Sequence, residues 1–305
     1  MANEITLTGS GGDTLAAEVY NRLLFELLMD PTSLRAVCTN LGDIGGSGSA
    51  TLTTGTVDFD EAMEAANTDE VTAVDNRALT VGSVSLTVAH QIISFGMSDL
   101  HSIVASPGQL DLQALAAKMA QSYELRFTDL VCEATDTITA NVGTSGADMT
   151  VDDFFAATAT LQQAVVPGPW YAVLAPVQVT DLRTSLRSEG GSMQFMPSTA
   201  EQLALKGPGY QGNLLGVDIF ASDSISTSGG DRVGAMFGQG CVGYVEASAR
   251  GAMPGSIAAS VPAGSPVYAE FVRAGDPGIS RIVGHAFLAV GLIENARGVN
   301  ITTGA

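Results

Sequence analysis

Lysine is nearly missing: Lys118 and Lys206 are the only two in 305 residues. With 13 bases against 32 acids the formal net charge is −19. A chain so acidic repels phosphate, and no Lys/Arg stretch interleaved with aromatics offsets that, which excludes tight nucleic-acid binding. Histidine is equally scarce. His90, His101 and His285 stand at no metal-ligand spacing with one another or with a cysteine, so zinc is not expected. The three cysteines, Cys38, Cys132 and Cys241, are odd in number and far apart, and read as buried free thiols in a reducing compartment. The longest apolar run, Ile282–Ile293, is too short to span a bilayer, and no membrane partner is expected. The opening MANEITLTGSGG has neither a basic n-region nor an apolar h-region, so no secretion signal is expected. Charged residues make up 15% against 46% hydrophobic, which excludes global disorder and leaves much of the surface uncharged.

What the chain does contain is organised around one stretch, Asp111 to about Thr137. Leu112, Leu115, Met119, Tyr123, Phe127, Leu130 and Ala134 recur there every three or four residues, without Gly or Pro. Asp111 follows the breaker pair Pro107-Gly108 and serves as N-cap. The helix would be roughly 40 Å long, a spine along which other elements pack. Upstream, Thr14 to Met29 repeats Leu15, Val19, Leu23 and Leu27 at i+4, opposite Glu18, Arg22 and Glu26. Asp30-Pro31 stops this amphipathic helix, which needs a surface to lie on.

Residues 48–94 read as a long two-stranded excursion. Its tip is acidic: Asp58, Asp60, Glu61, Glu64, Asp69, Glu70 and Asp75 precede the first base, Arg77. Val84, Leu86, Val88, His90 and Ile92 alternate on one face, and a change of phase suggests a bulge at Gly82-Ser83. After the spine, Thr150-Val151-Asp152-Asp153 forms a capping-box-like helix start. Trp170–Leu174 reads as a buried strand, Pro176 opens another helix, and strands follow through Leu214–Phe220, Arg232–Phe237, Cys241–Ala247, Pro266–Arg273 and Ile282–Ile293. Helix and strand alternate without a regular βαβ repeat, so the fold class is α+β.

Chemistry is harder to find. Gly207-Pro208-Gly209-Tyr210-Gln211-Gly212 fits G-x-G-x-x-G literally, but a helix-like run precedes it and a strand follows, the reverse of the dinucleotide order. Asp58-Phe59-Asp60-Glu61 lacks the glycine and distal Glu of a calcium loop. No G-x-S-x-G and no Walker loop occurs. No catalytic residue, metal site or cofactor is assigned. Residues are spent instead on an arm, a long hairpin and a spine, features that look for partners.

In that order the segments resemble a major capsid protein of tailed bacteriophages, the Hong Kong ninety-seven type. The resemblance spans nearly the whole chain. The extended loop ends in VAHQIISFGMSDLHS, DDFFAATATLQQAVVPGPWYAVLAP resembles the start of the axial domain, GYQGNLLGVDIFASDSIS that domain's turn-and-strand run, and HAFLAVGLIENARGVNITT the returning strands. The resemblance implies an N-terminal arm over 1–41, an extended β-hairpin loop over 42–96, a peripheral domain with the spine helix over 97–149, an axial α/β domain over 150–257, and strands returning to the peripheral domain over 258–305. It implies a structural subunit, not an enzyme, that self-assembles through hexamers and pentamers into an icosahedral shell around double-stranded DNA, in a virion assembled in the bacterial cytoplasm. A separate scaffolding protein, a portal and a decoration protein are the implied partners, with the DNA contacted weakly and nonspecifically. Candidate inter-subunit contacts are Leu15, Val19 and Leu23 on the arm, Asp58, Asp60, Glu61, Glu64 and Arg77 on the loop, and Arg126, Arg183 and Arg187 as basic counterparts of the acidic tip. Two departures stand out. Residues 41–110 contain no lysine, so the loop-lysine crosslink of some family members is not expected. The arm and loop account for the about one hundred residues before the spine, which implies a separate scaffolding protein unless a scaffolding extension has been removed from the chain. An encapsulin-type nanocompartment shell shares these features. A soluble α/β enzyme would need a convergent polar constellation, and a secreted surface protein is disfavoured by the odd free thiols.

Overall fold

The spine is helix α1, Leu112–Thr135. Its 24 residues make it roughly 36 Å long. Ala116, Met119, Ala120, Tyr123, Phe127, Val131, Cys132 and Ala134 are buried along it, the stripe that the 3.6-residue period lays on one face. The structure, a computed structural model, describes residues 34–58, 80–98, 112–188, 195–207, 209–248, 265–274 and 279–304. The amphipathic helix expected over 14–29 and the expected N-cap Asp111 lie outside these.

Strands β1 (Thr39–Asp43), β2 (Thr51–Asp58), β3 (Thr80–Thr87) and β4 (Ala89–Ser98) precede α1. After it come β5 (Asn141–Val142), α2 (Val151–Gln163), β6 (Trp170–Leu174), α3 (Pro176–Ser188), β7 (Phe195–Pro197) and α4 (Ala200–Lys206). The rest is β: β8 (Tyr210–Leu214), β9 (Val217–Ala221), β10 (Thr227–Ser228), β11 (Asp231–Gly238), β12 (Val242–Glu246), β13 (Val267–Ala274), β14 (Ile279–Leu292) and β15 (Gly298–Gly304).

Two sheets share these strands. In the first, β4 runs along one side of β14, while β13 and then β12 follow one another along the other, with β1 parallel outside β12. Helix α1 lies on this sheet. It approaches closely because Gly284 has no side chain: a methyl there would come within 2.5 Å of Tyr123 Oη and 3.0 Å of Met119 Sδ. The second sheet has the order β5-β15-β11-β6-β9-β8-β7, with β10 on β11. Its two faces serve two cores. Val173 and Phe237 pack with Phe127 and Cys132 of α1, while their neighbours Leu174 and Met236 pack with Phe154 and Leu161 of α2 and Leu182 of α3. Pairing is antiparallel apart from β1–β12, β6–β9 and β5–β15, which agrees with the α+β reading.

Local chemistry explains several boundaries. Thr150 Oγ1 accepts from Asp153 N at 3.2 Å and Asp153 Oδ2 accepts from Thr150 N at 3.0 Å, the expected capping box at the start of α2. Gln178, fully buried in α3, accepts from Ala175 N (2.9 Å) and donates to Arg232 O (3.1 Å), Ile301 O (3.1 Å) and Thr303 Oγ1 (2.8 Å). One amide thus joins α3, β11 and the last strand.

The structure departs from expectation at several points. The 48–94 excursion is shorter: β2 pairs with β3 from Thr51↔Thr87 to Asp58↔Thr80, and β4 belongs to the first sheet. That ladder runs without a register shift, so Gly82-Ser83 holds no bulge. The single alternating face from Val84 to Ile92 also fails. Leu86 is buried and Val84 packs beside it, but beyond Val88 the inward residues become Ile93 and Phe95, and Ile92 is 60% exposed. The phase flips because the chain leaves one sheet and enters another. Leu214–Phe220 is not one strand but two, joined at Leu215 and Gly216 with φ of +55° and +83°, a two-residue hairpin turn. The closing strand β15 pairs with β11 and β5 in the second sheet, and β12 lies in the first, so the chain passes between the two sheets more than once.

Candidate interaction surfaces

Where the N-terminal segment meets the body, Arg35 is the fastening. It follows Leu34 in a short 3-10 turn, Leu34–Ala36, and forms ion pairs with Glu246 on β12 and, at 3.3 Å, with Glu124 on α1. Its guanidinium lies 4.5 Å from the Phe127 ring centroid and 5.6 Å from that of Tyr244, within cation–π range. Burial opposes the charge, but the two carboxylates more than offset it and hold the guanidinium above its ordinary value. Nothing in sequence spacing marks this cluster, whose members are 89 and 211 positions apart.

The β2–β3 hairpin rises beside it. At its root Leu52, Val84 and Leu86 pack with Ile44, Val245 and Ala289. Its other face is polar, with hydroxyl pairs Thr51–Thr87 at 3.0 Å and Thr53–Ser85 at 2.9 Å. Towards the tip Val81 is 66% exposed. Among the described residues no third strand joins this ladder. Asp58 closes β2 opposite Thr80. Asp60, Glu61, Glu64 and Arg77 lie outside the described residues, as do Leu15, Val19 and Leu23.

The basic candidates are placed as follows. Arg126 on α1 pairs with Glu133 at 3.1 Å, both partly in solvent, a contact worth little by itself. Arg183 on α3 donates to Gln211 Oε1 at 3.0 Å. Arg187 is exposed in the last turn of α3. Because α1 and α3 pack on opposite faces of the second sheet, Arg126 stands apart from the other two and the three do not form one basic patch.

On the face of the first sheet away from α1, rings collect across three strands. His90 on β4 stacks on Phe287 (centroids 4.6 Å apart), and Tyr268 on β13 stacks on His285 of β14 (4.6 Å). His90 Nε2 lies 2.9 Å from His285 Nδ1, and His285 Nε2 lies 3.4 Å from Glu270 Oε1. Burial, together with His285, holds His90 below the usual imidazole range. Both histidines lie in strands, where the sequence places them; the contact between them depends on strand register and is invisible in the sequence. His101 lies outside the described residues.

Elsewhere Asp218 accepts from Lys206 Nζ (2.6 Å), Tyr210 Oη (3.1 Å) and Asn213 Nδ2 (3.0 Å), and pairs the end of α4 with the β8–β9 hairpin. Burial and Asp218 push the Tyr210 phenol up to about 12. The G-x-G-x-x-G glycines begin at Gly207, the C-cap of α4, and run into β8. Helix precedes strand here, so no amide cradle for a pyrophosphate opens at a helix N-terminus. Among the described residues no group of three His, Cys, Asp or Glu could hold a metal, and no helix is long and apolar enough to cross a membrane.

No family model and no curated protein matches the sequence. Solved structures do match over most of their length. A structure from Mycobacterium phage Che8 superposes with a TM-score of 0.60 at 16% identity, covering 88% of this chain and 90% of that one. The capsid of Cyanophage P-SCSP1u gives a TM-score of 0.57 at 13% identity, with 88% and 87% covered. The holo-SrpI encapsulin of Synechococcus elongatus gives 0.58 at 12% identity, with 88% and 85% covered. From the spine helix to the last strand, the chain has the fold of the Hong Kong ninety-seven type shell proteins.

Proposed function

We propose that the chain is a structural subunit that self-assembles into the icosahedral capsid of a tailed bacteriophage and encloses its double-stranded DNA. The observation that carries this is the fold itself, matched across about nine tenths of both chains to a phage capsid and a phage protein. The two-stranded hairpin supports it. A free hairpin is marginal in water, and among the described residues this one packs on its own subunit at the root, so its outer half gains stability by lying over a neighbour. Repeated over many copies, individually weak contacts of that kind close a shell. In this reading Leu15, Val19 and Leu23 seat the arm on another subunit, and the acidic loop around Asp60 and Glu61 meets Arg183 and Arg187 or Arg126 of a neighbour. Replacing Asp60 and Glu61 by Ala would then weaken assembly in a salt-dependent way. Contact with packaged DNA is weak and nonspecific, because a net charge of −19 repels phosphate. Scaffolding, portal and decoration proteins complete the particle, which is assembled in the bacterial cytoplasm.

A second reading, an encapsulin-type shell around protein cargo, is favoured by the match to the SrpI encapsulin. Sedimentation velocity of particles from the native source, followed at 260 and 280 nm, separates the outcomes. A megadalton species with dominant nucleic-acid absorbance supports the capsid. The same size with protein cargo and no nucleic acid supports the encapsulin, and a species of a few subunits overturns both.

A further inference from the structure

We infer that His90, His285 and Glu270 form a pH-sensitive latch that holds the root of the β2–β3 hairpin against β14. One placement of protons serves every contact in the row. His285 carries its proton on Nε2 and donates to Glu270, which leaves Nδ1 bare to accept from His90 Nε2–H across 2.9 Å. Both rings are then neutral. Stacking on Phe287 and Tyr268 keeps them in register across β4, β14 and β13.

One added proton still leaves a donor and an acceptor between the two rings; a second breaks the arrangement. An imidazolium has two N–H donors and no acceptor, so a doubly protonated pair aims two donors and two positive charges at each other. Glu270 compensates one of them, His285, on its far nitrogen. His285 is 8% exposed beneath Tyr268, whereas His90 faces solvent, so His90 is the ring that leaves. Among the described residues, the charged and titratable groups sharing this face are Glu270 and Tyr268 from β13, His90 from β4, and Arg281 two alternations along β14. Arg281 adds positive charge and so favours release. Glu270 resists protonation-driven opening at His285 but makes no hydrogen bond with His90.

The position gives the latch its consequence. His90 is the second residue of β4, just past Val88, where the chain turns from the hairpin into the sheet. Freeing it uncouples the start of β4 from β14 and lets the hairpin change its angle to the body. The sign follows from the lowered proton affinity of the docked His90. Its contribution is complete above the ordinary imidazole value of about 6.5 and is lost as pH falls through that value toward the lower docked one.

Hydrogen exchange of the whole chain, corrected for intrinsic rates, tests this at about pH 7.5 and about pH 5. Protection of residues 89–92 is expected to be lost in large part at the lower pH, while β15 keeps its protection. His90→Phe preserves the stack and removes the titration, so its protection should not change with pH; His101→Gln should respond like the unmodified chain. Unchanged protection in the unmodified chain, or the same response in His90→Phe, overturns the latch. Should His90→Phe fail to fold, the ring signals of His90 and His285 in the unmodified chain decide: a titration midpoint that does not coincide with the loss of protection also overturns it.

Discussion

Replacing Arg35 by Met tests how the N-terminal segment is fastened to the body. The substitution keeps an unbranched chain of similar length over Phe127 but removes the charge. Glu246 and Glu124, with side chains 18% and 13% exposed, then face each other's charge without a cation, and Glu124 Oε2 already lacks a hydrogen-bond partner. Removing one member of a fully buried ion pair costs 3–5 kcal/mol; with each member here retaining some water, the expected cost is about 2–4 kcal/mol. For a chain of this size that lowers the melting temperature by about 3–6 °C. A triple variant separates pairing from packing: Arg35→Met combined with Glu124→Leu and Glu246→Leu removes the stranded charges, and should recover most of the loss. Urea and heat unfolding of the unassembled chain, at one fixed concentration so that association does not shift the transition, gives both numbers. The reasoning is refuted if the single variant lies within about 0.5 kcal/mol of the unmodified chain, or if the triple variant is as unstable as the single.

Other consequences follow from the same physical chemistry. Gln178→Leu fills the same space but strands the Ala175 N–H and the acceptors on Arg232, Ile301 and Thr303; a loss of about 3–5 kcal/mol is expected in urea unfolding, and one below about 1 kcal/mol would show that Gln178 does not clamp the last strand. Burial pushes the Cys132 thiol up to about 11 and Cys241 to about 12, and raises Cys38 further. Iodoacetamide at about pH 8 should therefore leave all three unmodified in the folded chain and label all three in urea, whereas rapid labelling of any one in the folded state would contradict the burial. With no lysine in residues 41–110, particles boiled in detergent should run as a single monomer band, and a ladder would mean that some other lysine reaches the loop.

Much of the fold was legible because it is local or periodic. The spine announces itself through Met119, Tyr123 and Phe127 at helical spacing, and the α2 cap through Thr150 and Asp153, since each depends on residues within a turn or two of one another. The α+β class followed from strands and helices alternating without a repeating unit. The errors fall where the chain changes partners. The inward face flips at Val88 because β3 and β4 belong to different sheets, a fact that alternation within either strand does not contain. The turn at Leu215-Gly216 is hidden in the sequence because leucine rarely takes positive φ, so the stretch reads as a single strand.

The candidate contacts divide along the same line. That the loop is acidic and free of lysine is a property of composition, and the sequence settles it alone. Whether Arg126 shares a surface with Arg183 and Arg187 depends on which side of the second sheet each helix covers, and only tertiary packing decided that it does not. Arg35 reaching Glu124 and Glu246, and His90 reaching His285, depend on long-range register: strands and helices far apart in sequence must first be aligned before side chains of ordinary length can meet. Local energetics write helices, caps and turns into the chain, while the pairing of distant charges and rings is set only when the two sheets close on α1.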